Sequence, residues 1–371
     1  MSRCSNLVAA VLAVAGSLSA GPLSAGPLSA HTGAARPIVP QDRPWALAHV
    51  TTVQSSLEAP VGLSGAPYAY SLEVASVNPI PPEARLVRID LSTGQVDHGP
   101  GIPSTSGLVV VGKKVAAITP GGYLRFVDGL ELGAAIKLDW RPWILQQLGS
   151  PMPLVDGAIW LPELHSAVLV SVTTGKVLKV VGFRAMVSDL AESPDGERLY
   201  VALDEVSVDV DARVSTVIDE FDASTARLLG HHDIESGVGP AQLTPVEGGV
   251  WAAYRTGMAG TIVLLSSKGL TQLPFPRPVK EFSTLPQYGS GQIMGYWASY
   301  LGGDLWLQSY RGASCVAPRT GRLLEGTTKL HGTAIFAVWK GLVYTSGFPY
   351  SGSGSGQIMA LRPPAGCHIR S

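Results

Sequence analysis

Charged residues are scarce in this 371-residue chain: they make up 15% of the sequence and leave a net charge of −1. Without a basic surplus, the chain has no electrostatic attraction for nucleic acid or for anionic membranes, and it has no acidic tail. After the N-terminal segment, no apolar run approaches the roughly 20 residues that a membrane-spanning helix needs. We therefore expect a soluble mature protein that binds neither nucleic acid nor membranes.

The N-terminal segment has the pattern of an export signal. Arg3 supplies a positive charge, residues 7–15 form an apolar run, and small residues follow. A signal peptidase could cut near Ser19, Ala20 or Ala35. An uncleaved anchor is the alternative, but the apolar run is short for a spanning helix. The predicted organisation is a signal peptide and low-complexity leader over 1–35 and a single domain over 36–371, in a secreted or extracytoplasmic protein.

Cysteine is nearly absent, with three residues in the whole chain. Cys4 would leave with the signal, so the mature protein would keep Cys315 and Cys367. Two cysteines in an exported protein favour one disulfide, although two separate buried thiols remain the alternative. Neither residue belongs to a CxxC pair, which argues against a zinc site.

Glycine and proline are abundant, with 43 and 28 residues, and they separate many short apolar runs. A repeated unit organises these runs. Each copy begins with a turn glycine, followed by alternating apolar residues that often include Trp or Tyr. The spacing of 38 to 55 residues between copies is typical of four-stranded propeller blades. The seven turn glycines are Gly65, Gly112, Gly157, Gly196, Gly248, Gly303 and Gly341.

Three further strands complete each repeat. A strand–turn–strand pattern follows the first element, most clearly over 85–96, 166–177 and 215–229, and an apolar run such as 107–111 or 151–155 precedes it. One four-stranded sheet cannot bury both faces alone, whereas seven sheets around an axis can. The sequence thus predicts an all-β fold, a seven-bladed β-propeller of four-stranded blades A to D. The tryptophans of strands B should pack between blades.

Two predictions follow for the ends of the ring. The alternating segment 45–53 precedes the first blade, and the last blade ends in a short tail, so the N-terminal strand should join the last sheet. Cys315 would lie in strand C of blade six and Cys367 at the start of strand D of blade seven. These neighbouring positions near the outer rim would let the two side chains meet.

The motifs also resemble a known family. SPDGERLYVAL (193–203) with DASTARLL (222–229) is similar to the YVTN repeat. The turns DLSTGQV (90–96) and SVTTGKV (171–177) look like those of quinoprotein-amine-dehydrogenase-like propellers of secreted bacterial type. The resemblance implies the propeller architecture over about 57–371, while close matching is limited to three or four blades. Such motifs specify a fold rather than a reaction.

Catalytic signatures of related propellers are missing. Metal-dependent lactonase propellers use asparagine ligands, but only Asn6 and Asn78 occur here, and the adjacent cysteines of pyrroloquinoline enzymes are absent. The Gly/Ser string GSGSG at 352–356 lacks the strand and helix of a nucleophile elbow. The adjacent pair His231 and His232 would point to opposite faces of a strand, which disfavours shared metal ligation. We therefore predict no cofactor and no metal site.

The longest insertions, at 139–150, 204–213, 274–300 and 346–356, fall between strands D and A or between B and C, which share one face of a propeller. Binding usually sits in such loops. The acidic 204–213 loop is expected to be solvated. We predict a secreted binding or interaction protein whose unknown partner, a small molecule or a protein, contacts the channel mouth on this face; a lyase, hydrolase or quinoprotein-like enzyme is the alternative. The candidate contact residues are Arg141, Trp143, Asp189, Gln242, Arg255, Arg311 and His331.

Overall fold

The fold was determined as a computed structural model. The structure describes residues 47–53, 56–63, 65–74, 83–103, 106–139, 152–205, 215–234, 242–256, 259–266, 269–272, 297–309, 312–320, 322–327, 334–347 and 356–367. Within these residues all regular structure is β-strand, arranged in seven antiparallel sheets. The predicted all-β, seven-bladed propeller is confirmed.

The strands follow one another in chain order, blade by blade. β1 (Leu47–Val53) precedes the first blade. Blade 1 holds β2 (Ser56–Gly62), β3 (Tyr68–Val74), β4 (Glu83–Asp90) and β5 (Val96–Pro103). Blade 2 holds β6 (Gly107–Val111), β7 (Lys114–Thr119), β8 (Tyr123–Asp128), β9 (Glu131–Leu132) and β10 (Ile136–Lys137). Blade 3 holds β11 (Ala158–Glu163), β12 (Ser166–Ser171) and β13 (Val177–Gly182).

The remaining blades complete the ring. Blade 4 holds β14 (Met186–Glu192), β15 (Arg198–Glu205), β16 (Ser215–Asp222) and β17 (Leu228–Ile234). Blade 5 holds β18 (Gln242–Val246), β19 (Gly249–Thr256), β20 (Ala259–Ser266) and β21 (Gly269–Gln272). Blade 6 holds β22 (Trp297–Leu301), β23 (Asp304–Ser309), β24 (Gly312–Val316) and β25 (Leu323–Thr327). Blade 7 holds β26 (Ala334–Trp339), β27 (Leu342–Gly347) and β28 (Gly356–Leu361).

The first strands of neighbouring blades contact one another and therefore surround the axis. β2 contacts β6 and β26, and β18 contacts both β14 and β22. The buried apolar side chains form clusters that each span two adjacent blades, as expected when one sheet packs on the next. Trp160 and Trp306 of the B strands belong to these clusters, and Trp251 is also buried and reaches Pro318 of the next blade, which confirms their predicted core role.

The ring closes with a strand from each end of the chain. β1 pairs antiparallel with β28, with Val50 opposite Met359 and Thr51 opposite Ile358. β1 is therefore the outermost strand of blade 7. The predicted closure by the N-terminal strand is confirmed.

The backbone conformation of the turn glycines explains why the repeat can be recognised in the sequence. All seven predicted glycines that lead from strand A to strand B have φ between 57° and 89°. An L side chain strains the backbone in this left-handed region, whereas glycine occupies it freely. The A–B hairpins therefore require glycine at this position, and the recurring glycine marks each repeat in the sequence.

Blade 3 departs from the regular pattern at its inner strand. The segment 151–155 was expected to form strand A, but Met152 makes a parallel bridge to Val111 of blade 2 and Val155 bridges to Ala158. The described sheet of blade 3 consequently has three full strands, with the fourth position filled by isolated bridges.

The two cysteines lie at disulfide-bonding distance. Cys315 is in β24, strand C of blade 6, as predicted, and its Cα lies 6.1 Å from that of Cys367. The predicted place of Cys367 was wrong: it does not begin a strand D, because β1 occupies that position. Cys367 instead lies in the turn after β28, where its backbone N–H donates to Pro364 O. The side chains still meet across the seam between blades 6 and 7.

Candidate functional site

Asp189 lies where the inner strands of blades 4 and 5 meet. Its Oδ2 accepts a hydrogen bond of 2.7 Å from the backbone N–H of Leu243 in β18, and its Oδ1 accepts one of 2.8 Å from Leu190 N–H. β18 is the inner strand of blade 5, so an N–H that bonds across to blade 4 is not part of its pairing with β19. The Asp189 carboxyl therefore accepts a backbone N–H on the free inner edge of β18.

An extra residue in β14 gives Asp189 this position. The pairing with β15 shifts register between Val187 and Asp189, which is the signature of a β-bulge at Ser188. The hydroxyl of Ser188 donates to Ala202 O across the pair at 3.2 Å. A bulge changes the direction of the following side chain, so a sequence-level alternation pattern cannot place Asp189 correctly.

Inner-strand bulges recur elsewhere around the axis. β2 shifts register between Glu58 and Val61, and β26 shifts between Ile335 and Ala337. Bulges are frequent beside binding and active sites, where they reorient side chains. Three of the inner strands thus have irregular pairing within the described part of the chain.

Glu192, the last residue of β14, makes a corresponding hydrogen bond to blade 3, on the other side of blade 4. Its Oε1 accepts a hydrogen bond of 3.0 Å from the backbone N–H of Trp160 in blade 3. This donor lies on the inner edge of β11, where no full strand A of blade 3 occurs within the described residues. On the same edge, Ala158 N–H donates to Val155 O and Pro162 has no N–H to satisfy. Glu192 thus completes an edge that a regular inner strand would have covered.

Three carboxyl groups of blade 4 have raised pKa values. Burial raises the pKa of Asp189 to about 7, against the lowering effect of its two backbone hydrogen bonds. Burial likewise raises the pKa of Glu192, which is 2% exposed, to about 8. The pKa of Asp204 in β15 is also raised by burial. Such shifts arise when a carboxyl is removed from water without a compensating cation.

Asp204 corrects one sequence prediction. It was assigned to a solvated acidic loop, but it is a buried residue of β15, opposite Met186 of β14. Thr216 Oγ1 donates to its Oδ1 at 3.5 Å. Residues 206–213 of that loop lie outside the described residues.

The other predicted contact residues are placed less fully. Gln242 is the first residue of β18, opposite Ala253, and Arg255 is near the end of β19, opposite Gly260. Asp189 is the fourth residue of β14 rather than near its start. The remaining four predicted residues lie outside the described residues: Arg141, Trp143, Arg311 and His331.

Sequence reasoning did not identify Glu192 as a member of this region. The available signal was a glutamate at the end of the inner strand Met186–Glu192, just before the Ser-Pro-Asp-Gly turn. A charged residue in a strand that must be buried needs a partner. That partner, Trp160 N–H, is 32 residues away in the sequence and belongs to another blade.

The histidine pair of blade 4 lies on the outer strand β17. His231 Nδ1 is 2.7 Å from Asp219 Oδ1, whereas His232 Nε2 is 3.7 Å from Glu220 Oε2. The two imidazoles therefore pair with consecutive residues of β16, which point to opposite faces of the sheet. In the described residues, no group of three or more His, Cys, Asp or Glu side chains is arranged to hold a metal ion.

Comparisons with known proteins report the fold alone. No protein-family profile and no curated protein sequence matches the chain. Among solved structures, a chain from Kuenenia stuttgartiensis hydrazine synthase is similar at 11% identity and a TM-score of 0.53, covering 83% of this chain and 97% of that one. A chain of the mitotic checkpoint complex is similar at 8% identity and a TM-score of 0.55, covering 87% and 96%.

A third similar structure is the WD40 β-propeller domain of Doa1, at 13% identity and a TM-score of 0.47, covering 83% of this chain and 95% of that one. In the described part of the chain, no helix is long and apolar enough to cross a membrane.

Proposed function

We propose that this protein is a binding module whose ligand contacts the channel mouth beside blades 4 and 5. The observation that carries the proposal is Asp189. Its carboxyl is part-buried between the inner strands of blades 4 and 5, burial raises its pKa to about 7, and it bonds to backbone N–H groups rather than to a cationic side chain among the described residues. Titratable groups with strongly shifted pKa values are concentrated at functional sites.

The rest of the proposed contact surface follows from the strand order. Gln242 and Arg255 belong to the blade that supplies Leu243 to Asp189. The loops that join strand D to strand A and strand B to strand C would add Arg141, Trp143, Arg311 and His331. An aromatic side chain beside arginines suits a partner that is polar and partly apolar.

A ligand screen with two matched variants tests this function. Purified residues 36–371 would be screened against a small-molecule library by thermal shift, and hits would be titrated against Asp189→Asn and Glu247→Gln. Glu247 lies in an A–B turn at the other end of blade 5 and pairs with Arg319, so its neutralisation should not affect the site. We expect a ligand that binds Glu247→Gln normally and binds Asp189→Asn at least about tenfold more weakly. Equal affinity for both variants, or no ligand, would reject the proposal.

One observation favours an enzyme as the second candidate. A carboxyl with a pKa of about 7 is suited to general acid–base catalysis near neutral pH. Mass spectrometry of each hit after incubation with the protein distinguishes the two functions. A hit recovered unchanged supports the binding module, whereas conversion that Asp189→Asn abolishes supports the enzyme.

Export is part of the same proposal. We take residues 1–35 as a leader that is removed and the cysteine pair as a disulfide formed in an oxidising compartment, where such bonds persist. Sequencing the N-terminus of protein recovered outside the cytoplasm would test the leader. Recovery only of the full-length chain inside the cells would contradict it.

A further inference from the structure

Blade 3 presents an apolar outer strand to solvent. Leu178 is 53% exposed and Val180 is 60% exposed, and both belong to β13. Val180 is the most exposed large apolar side chain among the described residues. Two such side chains on one strand form a patch rather than the isolated exposed residue that is normal on a surface.

The neighbouring blade explains why this patch is uncovered. Val180 pairs with Val168, which packs in the cluster between blades 2 and 3, so Val180 lies on the side that faces blade 2. The outer part of blade 2 consists of the two-residue strands β9 and β10, which pair with opposite ends of β8. Within the described residues, strands this short leave the outer part of β13 without a covering sheet.

The patch coincides with an open edge of a sheet. In the described part of the chain, β13 pairs with β12 alone, so its other edge offers backbone donors and acceptors. An open edge that carries apolar side chains is a template for a further strand.

The other outer strands carry features that discourage pairing. β5 contains Gly99, Pro100 and Gly101, and β17 contains Gly230 and Asp233. β25 contains a glutamate and a glycine, β10 and β21 are two and four residues long, and β1 carries a histidine and two threonines. Glycine, proline, charge and short length are the usual protections of an edge strand. β13, with the sequence VLKVVG, has a lysine, a glycine as its last residue and a register shift opposite Leu169 and Val170, but four of its six residues are large apolar side chains.

The charge on β13 indicates the chemistry of the occupant. Lys179 points to the other face of the strand, where its Nζ donates to Ser224 O of blade 4. In a second copy paired antiparallel so that Leu178 faces Val180, the two Lys179 side chains would stand opposite each other. Like charges in directly opposed positions are destabilising. A strand with an acidic residue opposite Lys179 avoids this repulsion.

We infer that the outer edge of β13 is a docking site for an extended segment of a partner protein in which apolar residues alternate with acidic ones. The segment adds to blade 3 as a further strand. Its backbone completes the open edge, its apolar residues cover Leu178 and Val180, and an acidic residue lies across from Lys179.

Fluorescence anisotropy with a labelled eight-residue peptide of alternating valine and glutamate tests the inference. The control peptides replace glutamate by lysine or the central valine by proline. Val180→Lys puts a charge on the exposed patch, and Leu228→Lys is the matched control because Leu228 is 51% exposed on the outer strand of blade 4. Both side chains face solvent, so both variants should fold, as circular dichroism would verify.

We expect saturable binding of the valine–glutamate peptide, weakened at least about tenfold by Val180→Lys and by either control peptide, and unchanged in Leu228→Lys. Absence of binding, equal binding of the lysine peptide, or equal binding by Val180→Lys would overturn the inference. Sedimentation velocity adds a separate test: a dimer that Val180→Lys dissociates would show that a second copy occupies the edge instead.

Discussion

The indole Nε1 of Trp160 donates a hydrogen bond of 2.9 Å to the carbonyl oxygen of Ala223, which belongs to the next blade. Trp160 is the third residue after the turn glycine of blade 3, and Ala223 is the second residue of the turn between strands C and D of blade 4. The aromatic side chain thus fills the space between two sheets and also fixes their relative position. A polar group on a buried aromatic residue usually requires such a partner.

The same bond recurs in two other blades. Trp251 Nε1 donates to Pro318 O at 2.7 Å, and the hydroxyl of Tyr344 donates to Leu91 O. In each case the donor is the third residue after the turn glycine and the acceptor is the second residue of the next C–D turn. The Tyr344 bond joins blade 7 to blade 1, and therefore links the two ends of the ring.

Tyr344→Phe measures this bond by removing a single oxygen atom. The variant leaves the buried Leu91 carbonyl without its donor, so we expect the free energy of unfolding to fall by about 1–3 kcal/mol. Tyr123→Phe removes the same atom from an exposed side chain and should change stability by less than about 0.5 kcal/mol. Denaturant unfolding of both variants provides the comparison. Equal effects would show that the hydroxyl does not contribute through the Leu91 bond.

The raised pKa of Glu192 predicts an unusual pH dependence of stability. Its pKa is about 8 in the folded protein, against an ordinary value of 4.5. Between these values the unfolded chain has released the proton that the folded protein keeps, so stability is greatest below pH 4.5 and falls as the pH rises to about 8. Glu192→Gln keeps an acceptor for Trp160 N–H and cannot ionise.

The difference in unfolding free energy between Glu192→Gln and the parent is the quantity to measure, because other groups titrate in both proteins. We expect the unfolding free energy of Glu192→Gln to rise relative to that of the parent by a few kcal/mol between pH 5 and pH 8, because one pKa unit corresponds to about 1.4 kcal/mol. A difference that stays constant over this range would contradict the assignment.

The cysteine pair should contribute to stability through the chain that it encloses. Cys315 and Cys367 are separated by 52 residues, and closing a loop of this length contributes about 4 kcal/mol in the chain-entropy treatment. Replacing both residues by serine should therefore lower the unfolding free energy by up to this amount and abolish the effect of a reducing agent. Peptide mapping without reduction checks the bond directly, and free thiols on exported protein would disprove it.

Because β1 completes blade 7, we predict that the stability of the whole propeller depends on this N-terminal strand. Deleting residues 36–55 together with the leader removes β1 and exposes the outer edge of β28. We expect a large fall in the melting temperature of the entire domain. Deleting 1–35 alone is the control and should leave the melting temperature unchanged. If the two truncated proteins melt alike, β1 does not stabilise the ring.

Sequence reasoning recovered the parts of this fold that depend on local chemistry. The turn glycines are constrained by their own φ angles, and the alternation of apolar residues follows from burial of each sheet. The number of blades, the closing strand and the cysteine contact follow from these repeats. The place of Cys367 was missed because the outer strand of blade 7 comes from the other end of the chain.

The candidate site was harder to predict from the sequence because its contacts join different blades. Asp189 was predicted to reach the axial channel from near the start of strand A, but its bond to Leu243 depends on the bulge at Ser188. Glu192 accepts the Trp160 N–H at an edge of β11 that no full inner strand covers in the described part of the chain. Neither irregularity has a periodic signal, so alternation alone could not predict the partners of these two carboxyl groups.

Gly175 and Gly157 offer a comparison that separates backbone strain from close packing. Both have positive φ angles, 73° and 77°, so alanine strains the backbone similarly at either position. A Cβ at Gly157 would meet open space, whereas a Cβ at Gly175 would collide with the backbone carbonyl of Lys137 in blade 2. The Gly175 carbonyl also accepts a bond of 2.9 Å from Asp139 N–H, so the two chain segments cannot separate without losing it.

Gly157→Ala should cost about 1–2 kcal/mol of unfolding free energy, the usual penalty for a left-handed alanine. Gly175→Ala should cost clearly more, because the collision adds to the same strain and displaces the last residues of blade 2. Denaturant unfolding of the two variants side by side measures the excess. If the two variants lost the same unfolding free energy, the backbone at Lys137 would be able to move away at no cost. The contact between the C–D turn of blade 3 and blade 2 would then not contribute to stability.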